Sequence, residues 1–282
     1  NWVCDGGKQD GNSISLALGE AAICTINHND ITPTLTVFKE IVNDSGGTET
    51  NENVFGLKVN NINVPHNVAR AFDAGVVHTV TEEGLAGYQA GSWSGACAAD
   101  GTVTLALGQN ATCLITNDDI SPTLTVVNNI INDNGGTVID PDAFGLMVDG
   151  AAVSDRVSNA FDAGTHTVSA TGLNGYAATI WGGDCAPDGS ITLVLSQDAV
   201  CTISHDDISP TLKVFKTVIN DSGGIETEEN RFGLKVDGIT VLHNAVYLFD
   251  AGDHIVSEVG LAGYQPGNWG GDCAADGTIN LA

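Results

Sequence analysis

The chain has 282 residues, 42% of them hydrophobic, enough for two or three domains with buried cores and unlike a disordered polyelectrolyte. Its 35 acidic against 9 basic residues give a formal net charge of −26, which excludes nucleic-acid binding through phosphates because that needs Lys and Arg. No apolar run approaches the ~18 residues of a membrane helix, so no membrane contact is expected within this segment.

In chain order, "NWVCDGGKQDGNSISLA" from Asn1 echoes "NWGGDCAADGTINLA" from Asn268. The chain thus begins and stops near one phase of a repeating unit and reads as a window on a longer array, with no secretory signal in view. The run from Thr34 to Ile41 then places Leu35, Val37, Lys39 and Ile41 on one face, the period-two pattern of a strand. "NDSGG" at Asn43 is a turn, "FGLKV" at Phe55 alternates again, and "FDAG" at Phe72 turns into "HTVTE". "TVTLAL" and "ATCLITN", separated by "GQN", read as a hairpin. About seven short strands, Gly-rich turns and no helix suit a small β-sandwich.

The pattern recurs. Cys113 and Cys201 lie 88 residues apart, as do Cys97 and Cys185, and Ile31, Ile120 and Ile208 mark the same phase. The expected division is 1–30, the end of a preceding repeat; 31–119 and 120–207, two complete repeats; and 208–282, a third repeat lacking its last strand. The fold class is all-β: tandem Ig-like sandwiches arranged end to end.

Cys97 and Cys113 are 16 apart, as are Cys185 and Cys201, while Cys4 and Cys24 are 20 apart across a longer loop. One disulfide per unit follows: Cys4–Cys24, Cys97–Cys113 and Cys185–Cys201. Zinc would want four ligands at short spacing, and each unit offers two thiols. Disulfides place the protein outside the reducing cytoplasm, extracellular or at a cell surface. Trp2, Trp93, Trp181 and Trp269 repeat beside the cysteines and are expected to pack on the bridge. His78, His166 and His254 recur at one strand position, where a structural role is expected.

Three polar residues share inward faces: Lys39 with Leu35 and Val37, Glu82 with Val80, and Asn117 with Cys113 and Ile115. Buried singly, each would be costly. The second repeat replaces all three, with Asn128, Ala170 and His205; the third restores Lys216 and Glu258; the segment 1–30 carries His28 at the third position. The residues behave as a set. Read from the residues alone, the set is a buried Lys–Glu ion pair with Asn as a hydrogen-bond partner.

With Lys39 on the first strand, Glu82 before "GLAGY" and Asn117 on the last strand, the unit resembles the collagen-adhesin B-type, SpaA-like or prealbumin-like repeat of bacterial surface proteins and pilins. It departs from that pattern in having His78 for a Tyr, no Pro before the Gly-Tyr, and a disulfide. The resemblance implies a spontaneous isopeptide bond between Lys39 and Asn117, with Glu82 as the acid. In the third repeat Lys216 and Glu258 would act with an Asn beyond Ala282; the second repeat has no such chemistry.

The junctions "NDITP", "DDISP" and "DDISP" begin at Asn29, Asp118 and Asp206. Their prolines stiffen each entry, so neighbouring repeats are the expected partners. The turns carrying Asp44, Asp133 and Asp221 could approach the junction residues Asp30, Asp118, Asp119, Asp206 and Asp207, where converging carboxylates would suit Ca²⁺. The alternative is a solvated acidic linker beside an Asx turn. No other cofactor is expected.

No phosphate loop or HExxH motif occurs, so no enzyme is expected. The leading expectation is a rigid extracellular stalk, fibre or filament in which repeats contact repeats and other copies join. Two other readings stand beside it: an adhesin whose repeats bind a ligand, and accessory modules of a secreted enzyme. The monotony of the repeats favours the stalk.

Overall fold

The computed structural model describes residues 2–282; residue 1, the start of the 1–30 segment, lies outside them. The described residues contain no α-helix. One compact unit ends at Ile120 and a second runs Ser121–Ala282.

In the first unit, strands Trp2–Asp5 and Ile23–Ile26 pair antiparallel and place Cys4 opposite Cys24. The repeat that follows has two sheets. One contains Tyr88–Ala90, Asn110–Asp119, Thr34–Val42 and Arg70–Ala71 in that order, and the other Thr102–Thr104, Val77–Thr81, Lys58–Val59 and Ile62–Asn63. Leu35, Val37, Val59, Val80, Leu105 and Cys113 are buried together. They come from alternate positions on both sheets, as the period of two requires.

The first strand, Thr34–Val42, lies parallel to the last, Asn110–Asp119, in continuous register from Thr34 opposite Asn110 to Val42 opposite Asp118. This corrects the expected hairpin. "TVTLAL" pairs with Val77–Thr81 in one sheet while "ATCLITN" lies in the other. Both runs turn an apolar face inward, and the segment between Thr104 and Asn110 crosses from sheet to sheet.

The second unit opens with the same arrangement, Thr123–Ile131 lying parallel to Asp198–Asp207. Its third repeat has the sheet Ile239–Thr240, Leu234–Val236, Gly252–Glu258, Thr278–Leu281 and a short pairing of Thr211–Lys213 with Val246–Leu248.

Each repeat also has one turn of 3-10 helix, at Glu52–Phe55, Pro141–Phe144 and Glu229–Phe232. Asn51 and Asp140 cap the first two by accepting the N–H two residues on. Each turn ends on a buried Phe, at Phe55, Phe144 and Phe232, and a glycine with positive φ follows. A single turn is too short to show a helical period, which is why the sequence concealed it.

Candidate functional site

Lys39 sits at an inward position of the first strand, and its side chain is 0% exposed. Nζ lies 3.1 Å from Glu82 Oε2 and 4.4 Å from the centre of the Phe55 ring. Asn117 donates from Nδ2 to Glu82 Oε1 at 2.8 Å. Glu82 therefore touches both Lys39 and Asn117, and the parallel pairing sets Lys39 opposite Ile115, two residues from Asn117 on the neighbouring strand. Burial pushes the Lys39 pKa down, against the pull of Glu82 in the other direction. Asn117 Oδ1 is buried without a hydrogen-bond partner. The cluster thus holds an amine with a weakened hold on its proton, a carboxyl group, and a carboxamide with an unengaged carbonyl.

The second repeat fills the same place differently. His205 Nδ1 lies 2.7 Å from Asn128 Oδ1, and Asn128 Nδ2 donates to the Pro141 carbonyl at 3.2 Å. The His205 ring stacks on Phe144 with centroids 4.2 Å apart. Both polar residues are 1% exposed, and desolvation lowers the His205 pKa. Its Nε2 is buried without a partner. Ala170, where Glu82 stands in the first repeat, offers no carboxyl group. The third repeat brings Lys216 Nζ within 2.7 Å of Glu258, with side chains 16% and 12% exposed, and Lys216 lies over Phe232 at 4.6 Å.

Disulfides join Cys4–Cys24, Cys97–Cys113 and Cys185–Cys201, and Cys273 is a free thiol. Trp93 and Trp181 pack on the clusters that contain the second and third of these bridges, and Trp269 and Cys273 both pack on the core of the third repeat. Trp2, by contrast, is largely exposed.

The acidic junction residues have a structural task. Asp119 continues the inward face of Cys113, Ile115 and Asn117 and is buried. Its carboxylate accepts main-chain N–H groups from Asp44 and Ser45 at 3.0 Å and from Gly47 at 2.6 Å. Asp207 takes the same three bonds from Asp133, Asn134 and Gly136. Desolvation works against its charge, but the N–H groups of Gly136 and Asn134 outweigh it and hold the carboxyl below its usual range. A tyrosine completes the latch. Tyr88 donates to Asn43 Oδ1 at 2.6 Å and accepts from the Glu49 N–H at 3.2 Å. Tyr176 and Tyr264 repeat this with Asn132 and Asn220. A Cβ on Gly47 would fall within 2.7 Å of the Tyr88 hydroxyl, Asn43 Oδ1 and Asp119 Oδ2, so only glycine fits there.

Two groups of carboxylates converge, Asp44 with Asp118 and Asp119, and Asp133 with Asp206 and Asp207, each offering oxygens within 4.8 Å of one another. These groups could hold a cation. Asp30 and Asp221 are exposed and belong to neither. Since Asp119 and Asp207 are already bound by main-chain N–H groups, Asp44 and Asp118, or Asp133 and Asp206, supply the remaining oxygens. Period-two alternation carried on to Asp119 would have flagged it as buried; nothing local in the sequence announced the nest of N–H groups.

The recurring histidines clamp a turn. His166 and His254 each set Nδ1 against a carboxylate, Asp149 at 2.7 Å and Asp237 at 2.6 Å. Each sets Nε2 against a main-chain carbonyl, Asp162 at 2.9 Å and Asp250 at 2.8 Å. In the first repeat the carboxylate is replaced by Asn60, whose Nδ2 lies 2.9 Å from His78 Nδ1.

A family described as a prealbumin-like fold domain matches residues 30–115, 119–203 and 207–282. No curated protein matches the chain. Among solved structures it is similar to the Bacillus anthracis TIE protein, with 12% identity, a TM-score of 0.45, and coverage of 94% of this chain and 53% of that one. The chain thus spans about half the length of that structure.

Proposed function

The chain belongs to the family of prealbumin-like fold domains, and from that premise we propose that it is the non-enzymatic load-bearing part of an extracellular stalk or fibre, divided into repeats at 31–119, 120–207 and 208–282. Tandem domains of this family occur in surface proteins, and the three disulfides suit an oxidising environment. The observation that carries the reading is the Lys39–Glu82–Asn117 cluster, which spans the first and last strands at their parallel pairing. A chain pulled by its ends loads these two strands in shear, so a covalent bond between them would take the load before the sandwich opens.

The chemistry balances. Transfer of the Lys39 proton to Glu82 leaves a neutral Nζ that attacks the Asn117 side-chain carbon, and protonated Glu82 polarises the carbonyl once the Asn117 amide turns its Oδ1 toward it. The C–N bond to the amide nitrogen breaks, ammonia leaves, and an Nζ–Cγ amide remains. In the third repeat Lys216 and Glu258 would supply the amine and the acid of the same reaction. Calcium at the two groups of carboxylates is a subsidiary part of the reading and would stiffen the junctions.

Intact mass and peptide mapping of the chain test the proposal. One ammonia lost, with Lys39 and Asn117 in a single crosslinked peptide, is the expected result; an unmodified mass would reduce the cluster to a buried polar set. For calcium, the melting temperature should rise on addition of Ca²⁺ and return in chelator.

A further inference from the structure

Repeats two and three meet through two turns. In the second repeat, Asn134 donates its main-chain N–H to Asp207 at 3.0 Å and its Nδ2 to the Asp207 carbonyl at 3.2 Å, and its Oδ1 accepts from the Ser209 hydroxyl. In the third repeat, the turn at Phe249–Gly252 sends the Ala251 N–H to the Asn134 carbonyl at 2.7 Å. The approach is close: a Cβ on Gly135 would lie 2.4 Å from the Ala251 carbonyl oxygen. The turn at Ala251 is thus a point at which the third repeat is held against the second.

What holds Ala251 is the residue before it. The Asp250 carbonyl faces His254 Nε2 at 2.8 Å, while His254 Nδ1 faces Asp237 Oδ2 at 2.6 Å. The other Asp237 oxygen accepts the Ile255 N–H at 2.9 Å. Both ring nitrogens face acceptors, so both must carry hydrogens for both bonds to form, and only the imidazolium does this. In the first repeat an amide takes the place of the carboxylate. There Asn60 Oδ1 accepts the Thr79 N–H at 3.0 Å, which turns the Asn60 amide nitrogen toward His78 Nδ1. His78 Nδ1 must accept, leaving Nε2–H for the Asp73 carbonyl at 2.9 Å. One residue, Asp or Asn, thus decides whether Nδ1 of the ring donates or accepts.

We infer that the joint between the second and third repeats is pH-responsive, with imidazolium His254 clamped between Asp237 and the Asp250 carbonyl to hold Ala251 against Asn134. The groups that face His254 are few. Asp237 meets it from the turn after Leu234–Val236, and Asp250 adds attraction through space from the turn before. Thr278–Leu281, which sets Ile279 opposite His254, carries no titratable residue, and Lys235 pairs instead with Ser257. Phe249 lies edge-tilted at 5.4 Å. The hydrogen bond to Asp237, opposed by burial and aided by the Asp250 carbonyl, raises the His254 pKa. When pH rises and the ring loses a proton, one of the two bonds must go. Either the Asp250 carbonyl is released, or a lone pair on Nδ1 faces the Asp237 carboxylate. The first outcome frees the turn that carries Ala251 directly, and the second sets a lone pair against the carboxylate and pushes the ring out of the clamp.

The test uses the intact chain and Asp237→Asn, which copies Asn60 of the first repeat and so suits the fold. Nitrogen-15 NMR of the His254 ring follows its charge and tautomer. Hydrogen exchange of the Ala251 amide, corrected for intrinsic rate, follows the joint. In the unsubstituted chain, Ala251 protection should fall severalfold as pH rises through the His254 titration. In Asp237→Asn the titration should move down, with Nε2–H the neutral form and Ala251 protection flat over the same range. Constant protection in the unsubstituted chain while His254 titrates, or an equal fall in Asp237→Asn, overturns the inference.

Discussion

The first and second repeats differ most at their centres. They share the pairing of first and last strands, the disulfide, the tyrosine latch, and a buried Phe at the end of the 3-10 turn. At their centres, one has Lys39, Glu82 and Asn117, the other Asn128, Ala170 and His205. The same sandwich forms around either set, so the fold does not depend on the ion pair. A buried ion pair stabilises little beyond what well-packed apolar residues would provide. The two sets therefore separate what builds the sandwich from what is added to it.

Exchange of the sets breaks the comparison most sharply. Asn128→Lys, Ala170→Glu and His205→Asn together should give the second repeat the reactive cluster, and the intact chain should lose a further ammonia. In the other direction, Glu82→Ala leaves Lys39 buried without a counter-charge; it should abolish the ammonia loss and cost about 3–5 kcal/mol, read by denaturant unfolding.

Disulfide removal comes next. Cys185→Ala with Cys201→Ala should lower the stability of the second repeat by about 3 kcal/mol in the chain-entropy account. Cys97→Ala with Cys113→Ala should cost the first repeat less, because a Lys39–Asn117 bond would restrict the same unfolded chain. Equal losses would argue against the crosslink.

Tyr176→Phe and Tyr88→Phe each remove a hydroxyl that joins an Asn side chain to a main-chain N–H. Each should cost about 1 kcal/mol, by the same amount in both repeats. This pair is the control that the latch is common property.

The smallest effect is one of pH. Burial opposes the charge on His166, but the bond to Asp149 and the Asp162 carbonyl outweigh it and raise its pKa. A raised folded pKa contributes stability that is fully present below the unfolded value near 6.5 and is lost as pH rises through the folded one. The second repeat should therefore weaken slightly above that range, and Asp149→Asn should remove the dependence. Thermal melts across pH compare the two.

Much of this was legible in the residues. Alternation at Leu35, Val37 and Lys39 placed the amine inside, and the recurrence of the cysteines fixed the bridges, because a period of two and a repeat of 88 are properties of the chain itself. What stayed hidden depends on the third dimension. The inter-sheet crossing after Thr102–Thr104 needs two sheets to exist before it has meaning. The nest around Asp119 is made of main-chain N–H groups some 70 positions away, which carry no sequence signature. The convergence of Asp44 with Asp118 was visible as a possibility only because the first strand was expected to run the length of the sandwich.

The Cys185–Cys201 bridge has a consequence for length. Its ends are 16 positions apart along the chain but 5.1 Å apart between Cα atoms. Stretched fully, such a segment would span about 55 Å. When the second repeat gives way under tension, that slack stays locked behind the bridge. A pulling trace should record a release shorter by roughly 50 Å than the chain length alone would give, and addition of a reductant should restore the difference.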